Sequence, residues 1–119
     1  MNNAIKKELK DNGVMVLTLN RPEVLNAMNR DLIMGLYEIF QEIEKEKDSR
    51  VIIITGEGRG FCSGADLANG GWPSEEGMTG GEAGANNMEI GFNPLIRLIT
   101  SIDKPVITAI NGIAAGGGV

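Results

Sequence analysis

Val51-Ile52-Ile53-Ile54-Thr55-Gly56 is the stretch on which the fold turns. An apolar run this short cannot make a helix, and the glycine stops it at once. It reads as a strand buried on both faces, as in a parallel sheet covered by helices. A second run of the same kind, Val106-Ile107-Thr108-Ala109-Ile110, follows Asp103-Lys104-Pro105 and ends at Asn111-Gly112. Before the first run, Leu32, Ile33, Leu36, Tyr37, Phe40 and Ile43 recur at helical spacing. Asn29 suits the N-cap and Asp31 opposes the helix dipole, so a helix is predicted over 30–47. The charges at 42–48 read as its solvated end. Between the runs, Ile90, Leu95, Ile96, Leu98, Ile99 and Ile102 predict an amphipathic helix over 89–102, with Pro94 able to delay its start to Asn93. At the N-terminus, residues 5–10, the turn signal Asp11-Asn12-Gly13 and Val14-Met15-Val16-Leu17-Thr18-Leu19 predict a β-hairpin, closed by Asn20-Arg21-Pro22. Hairpin, helix, strand, glycine loop, helix, strand, glycine loop is an α/β order with right-handed crossovers.

Composition narrows the function. At 119 residues one domain is expected. Eleven Lys and Arg against 16 Asp and Glu give a net charge of −5, so no nucleic-acid partner is expected. The chain has no His, which excludes Ser-His-Asp or Cys-His catalysis within it and makes a zinc site improbable. A single Cys, Cys62, forbids an internal disulfide. No apolar run approaches a membrane span, and the first ten residues resemble neither a signal nor a transit peptide. No membrane partner and a cytoplasmic location are the expectation.

Glycine is the outlier, with 17 residues, most of them between positions 56 and 91 and a run at Gly116-Gly117-Gly118. Two glycine loops, 56–67 and 111–118, follow the two apolar runs. Loops at the C-terminal ends of parallel strands are where α/β proteins hold ligands. Glycine there lets backbone N–H groups approach without Cβ interference. Two such loops can aim main-chain donors at one negatively charged oxygen, forming an oxyanion hole that needs no special side chain. Tight structural turns are the plainer alternative. A dinucleotide site fits poorly, because Phe61 stands where the third glycine of G-x-G-x-x-G belongs, and there is no G-K-[ST] for a P-loop. Residues 67–87 read as a lid or a disordered segment, with Trp72 and Met78 facing either substrate or body. Glu75, Glu76, Glu82 and Glu89 read as solvated surface, Cys62 as a packed thiol and Asp66 as a local cap. Arg59 reads equally as a surface residue or as a cation for a phosphate.

The sequence resembles the enoyl-CoA hydratase/isomerase (crotonase) family. Four motifs carry the resemblance in the family's order. They are Leu19-Asn20-Arg21-Pro22-Glu23-Val24-Leu25-Asn26-Ala27-Met28, the run from Val51 to Gly56, Gly60-Phe61-Cys62-Ser63-Gly64-Ala65-Asp66-Leu67, and Lys104-Pro105-Val106-Ile107 with Asn111-Gly112-x-Ala114-x-Gly116-Gly117-Gly118. The resemblance implies a crotonase-like spiral of ββα units acting on acyl-CoA thioesters, with coenzyme A arriving as part of the substrate and no separate cofactor or metal. It implies that Ala65 and Gly117 donate the two N–H groups to a thioester enolate oxygen. It implies that Glu23, Val24, Leu25 and Ala27 line the path of the CoA adenine and pantetheine, with backbone contacts from Ala65, Asp66, Leu67 and Ala68 and with Gly116 beside the thioester. Assembly as a homotrimer or hexamer is implied as well.

In the family the first catalytic glutamate lies just past the glycine run, and the hydratases carry a second further on; this sequence ends at Val119. Residues 1–119 are therefore expected to be the N-terminal portion of one crotonase-like domain, inactive alone and associating through apolar faces left uncovered. Enoyl-CoA hydration is the default reaction, although isomerisation, dehalogenation, thioester hydrolysis and condensation share the same hole. A non-catalytic CoA-binding or assembly module is the alternative.

Overall fold

The computed structural model describes residues 3–66 and 92–119. β1 (Ile5–Leu9) and β2 (Val14–Leu19) form the expected antiparallel hairpin, closed by Lys10 N donating to Val14 O and Gly13 N to Lys10 O. α1 (Arg30–Lys45) is capped by the Asn29 side chain, which accepts from Leu32 N at 2.9 Å. β3 (Val51–Gly56) lies parallel to β2, and β5 (Val106–Thr108) parallel to β3, giving the order β1-β2-β3-β5. α2 (Asn93–Ser101) begins at Asn93, as Pro94 in its first turn dictates.

Register puts Met15 beside Ile52 and Leu17 beside Ile54, so alternate residues share one face. That face meets Leu32, Ile33, Leu36, Phe40 and Ile43 of α1 and Leu95 of α2 in a continuous core. Phe40, Leu17, Leu32 and Ile52 are wholly inaccessible. Burying such side chains stabilises by about 1.5–3 kcal/mol each.

The apolar runs correct one expectation. β3 is not buried on both faces: Ile52 and Ile54 are buried, while Val51 and Ile53 are half-buried. In β5, Ile107 is 52% exposed. Among the described residues one sheet face is covered by helices and the other is not, so an unbroken run of branched residues here alternates in burial. β5 also stops at Thr108 rather than continuing to Ile110.

Two short strands lie inside what read as glycine loops. β4 (Gly60–Cys62) and β6 (Ile113–Ala114) pair in parallel to make a second sheet. A bridge between Met28 and Ala65 adds the segment after β2 to its other side.

The acidic end of α1 holds a second correction. Glu46 is not simply solvated: its carboxylate accepts from the Ser49 hydroxyl, from the amides of Asp48 and Ser49, and from Lys104 Nζ. Lys104 Nζ donates also to the carbonyls of Ile43 (2.7 Å) and Glu46 (2.8 Å). The ammonium thus satisfies carbonyls that the helix end leaves open and complements its dipole. The Ser49 hydroxyl above all, then the amides and Lys104, lowers the Glu46 carboxyl from its ordinary 4.5 to about 2.

Candidate functional site

The candidate site is where three chain segments run side by side. The sequence Asn20-Arg21-Pro22 ends β2, and Pro22–Val24 makes a single 3-10 turn. Leu25 (φ +53) and Asn26 (φ +56) then both enter the left-handed region. For leucine that conformation costs roughly 1–2 kcal/mol and must be held from outside. Asn26 holds it. Wholly buried, its Oδ1 accepts from Arg21 N at 2.7 Å, and its Nδ2 donates to Glu57 O (3.1 Å) and Gly60 O (2.9 Å). Asn111 grips the same loop from the other side. Its Oδ1 accepts from Gly56 N, and its Nδ2 donates to Gly58 O and Gly60 O. Two amide side chains from different elements therefore fix the loop between β3 and β4.

After the turn, 24–28 lies along 63–66. Ser63 N donates to Leu25 O (3.0 Å), Met28 N to Gly64 O (2.7 Å), and Asp66 N to Met28 O (2.9 Å). In a parallel bridge of this pattern the neighbours of the central residue make the bonds. The N–H of Ala65 therefore faces away from Met28. On the far side, Ala115 N donates to Cys62 O (3.0 Å), bringing the third segment alongside.

Glycine is required where these segments touch. Gly64 has φ +111, and a Cβ there would stand 3.2 Å from Ala115 O and 3.8 Å from Gly116 Cα. A Cβ on Gly118 would strike the Cys62 carbonyl. The two glycine loops are thus in backbone contact at Gly64 and Gly116, the residues next to Ala65 and Gly117. Ala65, Gly116 and Gly117 are exposed and Gly118 is buried. Met28 and Phe92 flank Gly117.

Charge at the site is arranged around Arg21. Its Nη1 donates to Ala27 O at 2.5 Å and to Asp66 Oδ2 at 2.9 Å, with both side chains largely buried. Asp66, read from sequence as a local cap, is tied to a residue far back in the chain. Cys62 is buried, and loss of water around the thiol pushes its pKa up, partly opposed by the Gly64 amide; it packs as expected and is a poor nucleophile. Glu23 and Val24 are exposed, Leu25 half-buried and Ala27 buried. The structure therefore brings 23–28, Ala65, Asp66, Gly116 and Gly117 into one region. Leu67, Ala68, Trp72, Met78 and the glutamates at 75, 76, 82 and 89 lie outside the described residues. Arg21, Asn26 and Asn111 went unassigned in the sequence reading, although each stands in a quoted motif. A polar residue directly after an apolar run and before a glycine is the signal that could have found Asn111; Asn26, beyond the turn that follows β2, carries no such signal.

Among the described residues no cluster of His, Cys, Asp and Glu could hold a metal ion, and no helix is long and apolar enough to cross a membrane.

The chain is similar to known proteins in sequence and in fold. A 1,2-epoxyphenylacetyl-CoA isomerase of Escherichia coli K12 is 41% identical over 113 residues, spanning 91% of this chain and 40% of the relative. A short-chain-enoyl-CoA hydratase of Clostridium acetobutylicum is 36% identical over 120 residues, spanning 99% of this chain and 42% of the relative. The chain thus spans about two fifths of the length of these relatives. Among solved structures, a probable enoyl-CoA hydratase/isomerase from Mycobacterium abscessus superposes with a TM-score of 0.81 at 35% identity, over 98% of this chain and 42% of that one. An enoyl-CoA hydratase from Bacillus anthracis does so with 0.81 at 32%, over 98% and 43%. The mixed α/β arrangement is that of the crotonase fold. The sequence model of the enoyl-CoA hydratase/isomerase family matches residues 9–119, and the chain belongs to that family.

Proposed function

We propose that this chain carries the thioester-binding half of an acyl-CoA enzyme of the hydratase/isomerase type, in which the N–H groups of Ala65 and Gly117 hold a thioester enolate oxygen. The observation that carries the reading is the backbone contact between Gly64 and the Ala115–Gly116 peptide, with the Ala65 N–H turned away from Met28 and the residue exposed. Donors aimed at a developing oxyanion supply the largest catalytic contribution in such chemistry. Glu23, Val24, Leu25 and Ala27 would line the CoA path beside Ala65, Asp66, Leu67, Ala68 and Gly116, and coenzyme A enters as part of the substrate. Assembly as trimers or pairs of trimers and a cytoplasmic location belong to the same proposal.

The test is binding of acetoacetyl-CoA, whose enolate has its own near-ultraviolet band. The chain should raise that band at a pH where the free thioester is mostly keto. Replacing Gly117 by Pro removes one N–H and should lower the enolate constant about 10²–10³-fold. No band with the unaltered chain would overturn the reading.

A second reading, CoA binding or assembly without turnover, is favoured by Asp66. The carboxylate next to Ala65 is committed to Arg21 and does not stand free as a general acid or base. Residues 1–119 by themselves would then polarise a thioester without hydrating it. Hydration of crotonyl-CoA by the 119-residue chain would contradict this.

A further inference from the structure

We infer that Arg21 is a positioning residue for the Ala65 amide. The inference rests on the oxyanion reading above and adds the device that aims one of its donors. Ala65 sits between two residues that are both tied to the 27–28 segment. Gly64 O accepts from Met28 N, and Asp66 N donates to Met28 O. Those main-chain bonds fix the peptide planes on either side, and Arg21 locks the pair of segments together. One nitrogen, Nη1, reaches the Ala27 carbonyl on one segment and the Asp66 carboxylate on the other.

The remaining connections hold Arg21 itself. Arg21 N donates to the buried Asn26 Oδ1, and Arg21 O accepts from Val24 N and Asn26 N. The cation therefore starts from a clamped backbone and ends on both strands of the bridge. The side chains of Arg21 and Asp66 are 19% and 14% exposed, so solvent screens the pair less than a surface ion pair. Without the guanidinium, the Asp66 carboxylate would lose its cation and shift, pulling the 65–66 peptide with it. The Ala65 N–H would then lose its aim while coenzyme A contacts elsewhere remained.

The experiment compares Arg21→Gln, Arg21→Lys and Asp66→Asn with the unaltered 119-residue chain. Two quantities are read: the enolate fraction of bound acetoacetyl-CoA against pH, and the Kd of free coenzyme A. Arg21→Gln should lower the enolate constant about tenfold to a hundredfold, the range for a misplaced catalytic group, with Kd held within about twofold. Arg21→Lys should restore part of the loss, because its ammonium still pairs with Asp66 but lacks the length and the fixed planar N–H pair with which Nη1 holds both acceptors. Asp66→Asn, nearly isosteric, should match Arg21→Gln in the enolate constant, and the double variant should be no worse than either in that constant. Amide exchange at Asp66 should rise about tenfold in both single variants while β2 and β3 stay protected.

Equal losses in enolisation and coenzyme A affinity would overturn the inference by assigning Arg21 to binding. Global loss of protection in Asp66→Asn would overturn it by assigning the pair to folding. Unchanged exchange at Asp66 would overturn it whatever the ligand does. If the unaltered chain fails to enolise the thioester but exchange responds as expected, the oxyanion reading falls while the bracket around Ala65 stands.

Discussion

The sheet face beneath α1 buries Leu17, Ile52 and Ile54, whereas residues of equal hydrophobicity after α2 face outward. Ile110 and Ile113 are each 59% exposed, and Ile107 belongs with them. Register aligns Val16, Ile53 and Ile107 in one row across the uncovered face, which grows more open toward β5. Composition does not separate these regions. What separates them is a partner: α1 covers one face, and nothing among the described residues covers the other. Lys104 ties the two regions together, with its side chain on the end of α1 and its backbone one residue before Pro105, the entry to β5.

The largest effect expected is at Phe40. Phe40→Ala should cost about 3–5 kcal/mol in urea unfolding, because the wholly buried ring leaves a cavity. Second comes a contrast within the site. Asn26→Ala should cost about 2–3 kcal/mol, since it strands buried partners and releases two left-handed residues. Asn111→Ala, exposed and gripping the same loop, should cost about 1 kcal/mol. Equal costs would mean that both regions are equally closed in solution.

Acid should loosen the link between the regions. Glu46 titrates lower in the folded chain than in the unfolded one, so the unfolded chain binds the proton more readily. The stability it contributes is complete above about 4.5 and declines as pH falls toward about 2. Partial exposure of the side chain holds the loss to about 1–2 kcal/mol. A melting series from pH 6 to pH 2 should show this, and Ser49→Ala should flatten it. The smallest effect belongs to the open region. Ile107→Ala or Ile110→Asn should change stability by less than about 0.5 kcal/mol. A cost approaching that of Phe40 would reveal that this face is covered in solution.

The elements were legible where one local signal fixed them. Asn29 and the helical spacing gave α1, which ends at Lys45 rather than Lys47, and Pro94 gave the start of α2. β4 and β6 were not legible, since strands of three and two residues show no periodicity, and their pairing joins distant parts of the chain. The same limit hid the side of β3 that stays open: coverage by another element leaves no mark within the run itself. At the site, the two glycine loops could be named because glycine advertises close backbone approach. Arg21 and Asn26 could not, because the partners that give them their roles, Asp66 for one and the carbonyls of Glu57 and Gly60 for the other, lie far along the chain. Nor does Leu25 announce its left-handed backbone, which the surrounding hydrogen bonds impose.

The seam at Gly64 and Gly116 has a consequence for energetics of association. One side belongs to the packed region, anchored through Met28 and Arg21; the other hangs from β5 and β6, whose side chains bury little. Elements with few buried apolar contacts open at lower free energy than the core. A molecule spanning the seam would therefore cross-link a firm edge to a loose one, so part of its intrinsic affinity would be consumed in quieting residues 106–119. Tight ligands should accordingly lengthen the lifetime of that segment against protease far more than that of the hairpin or α1.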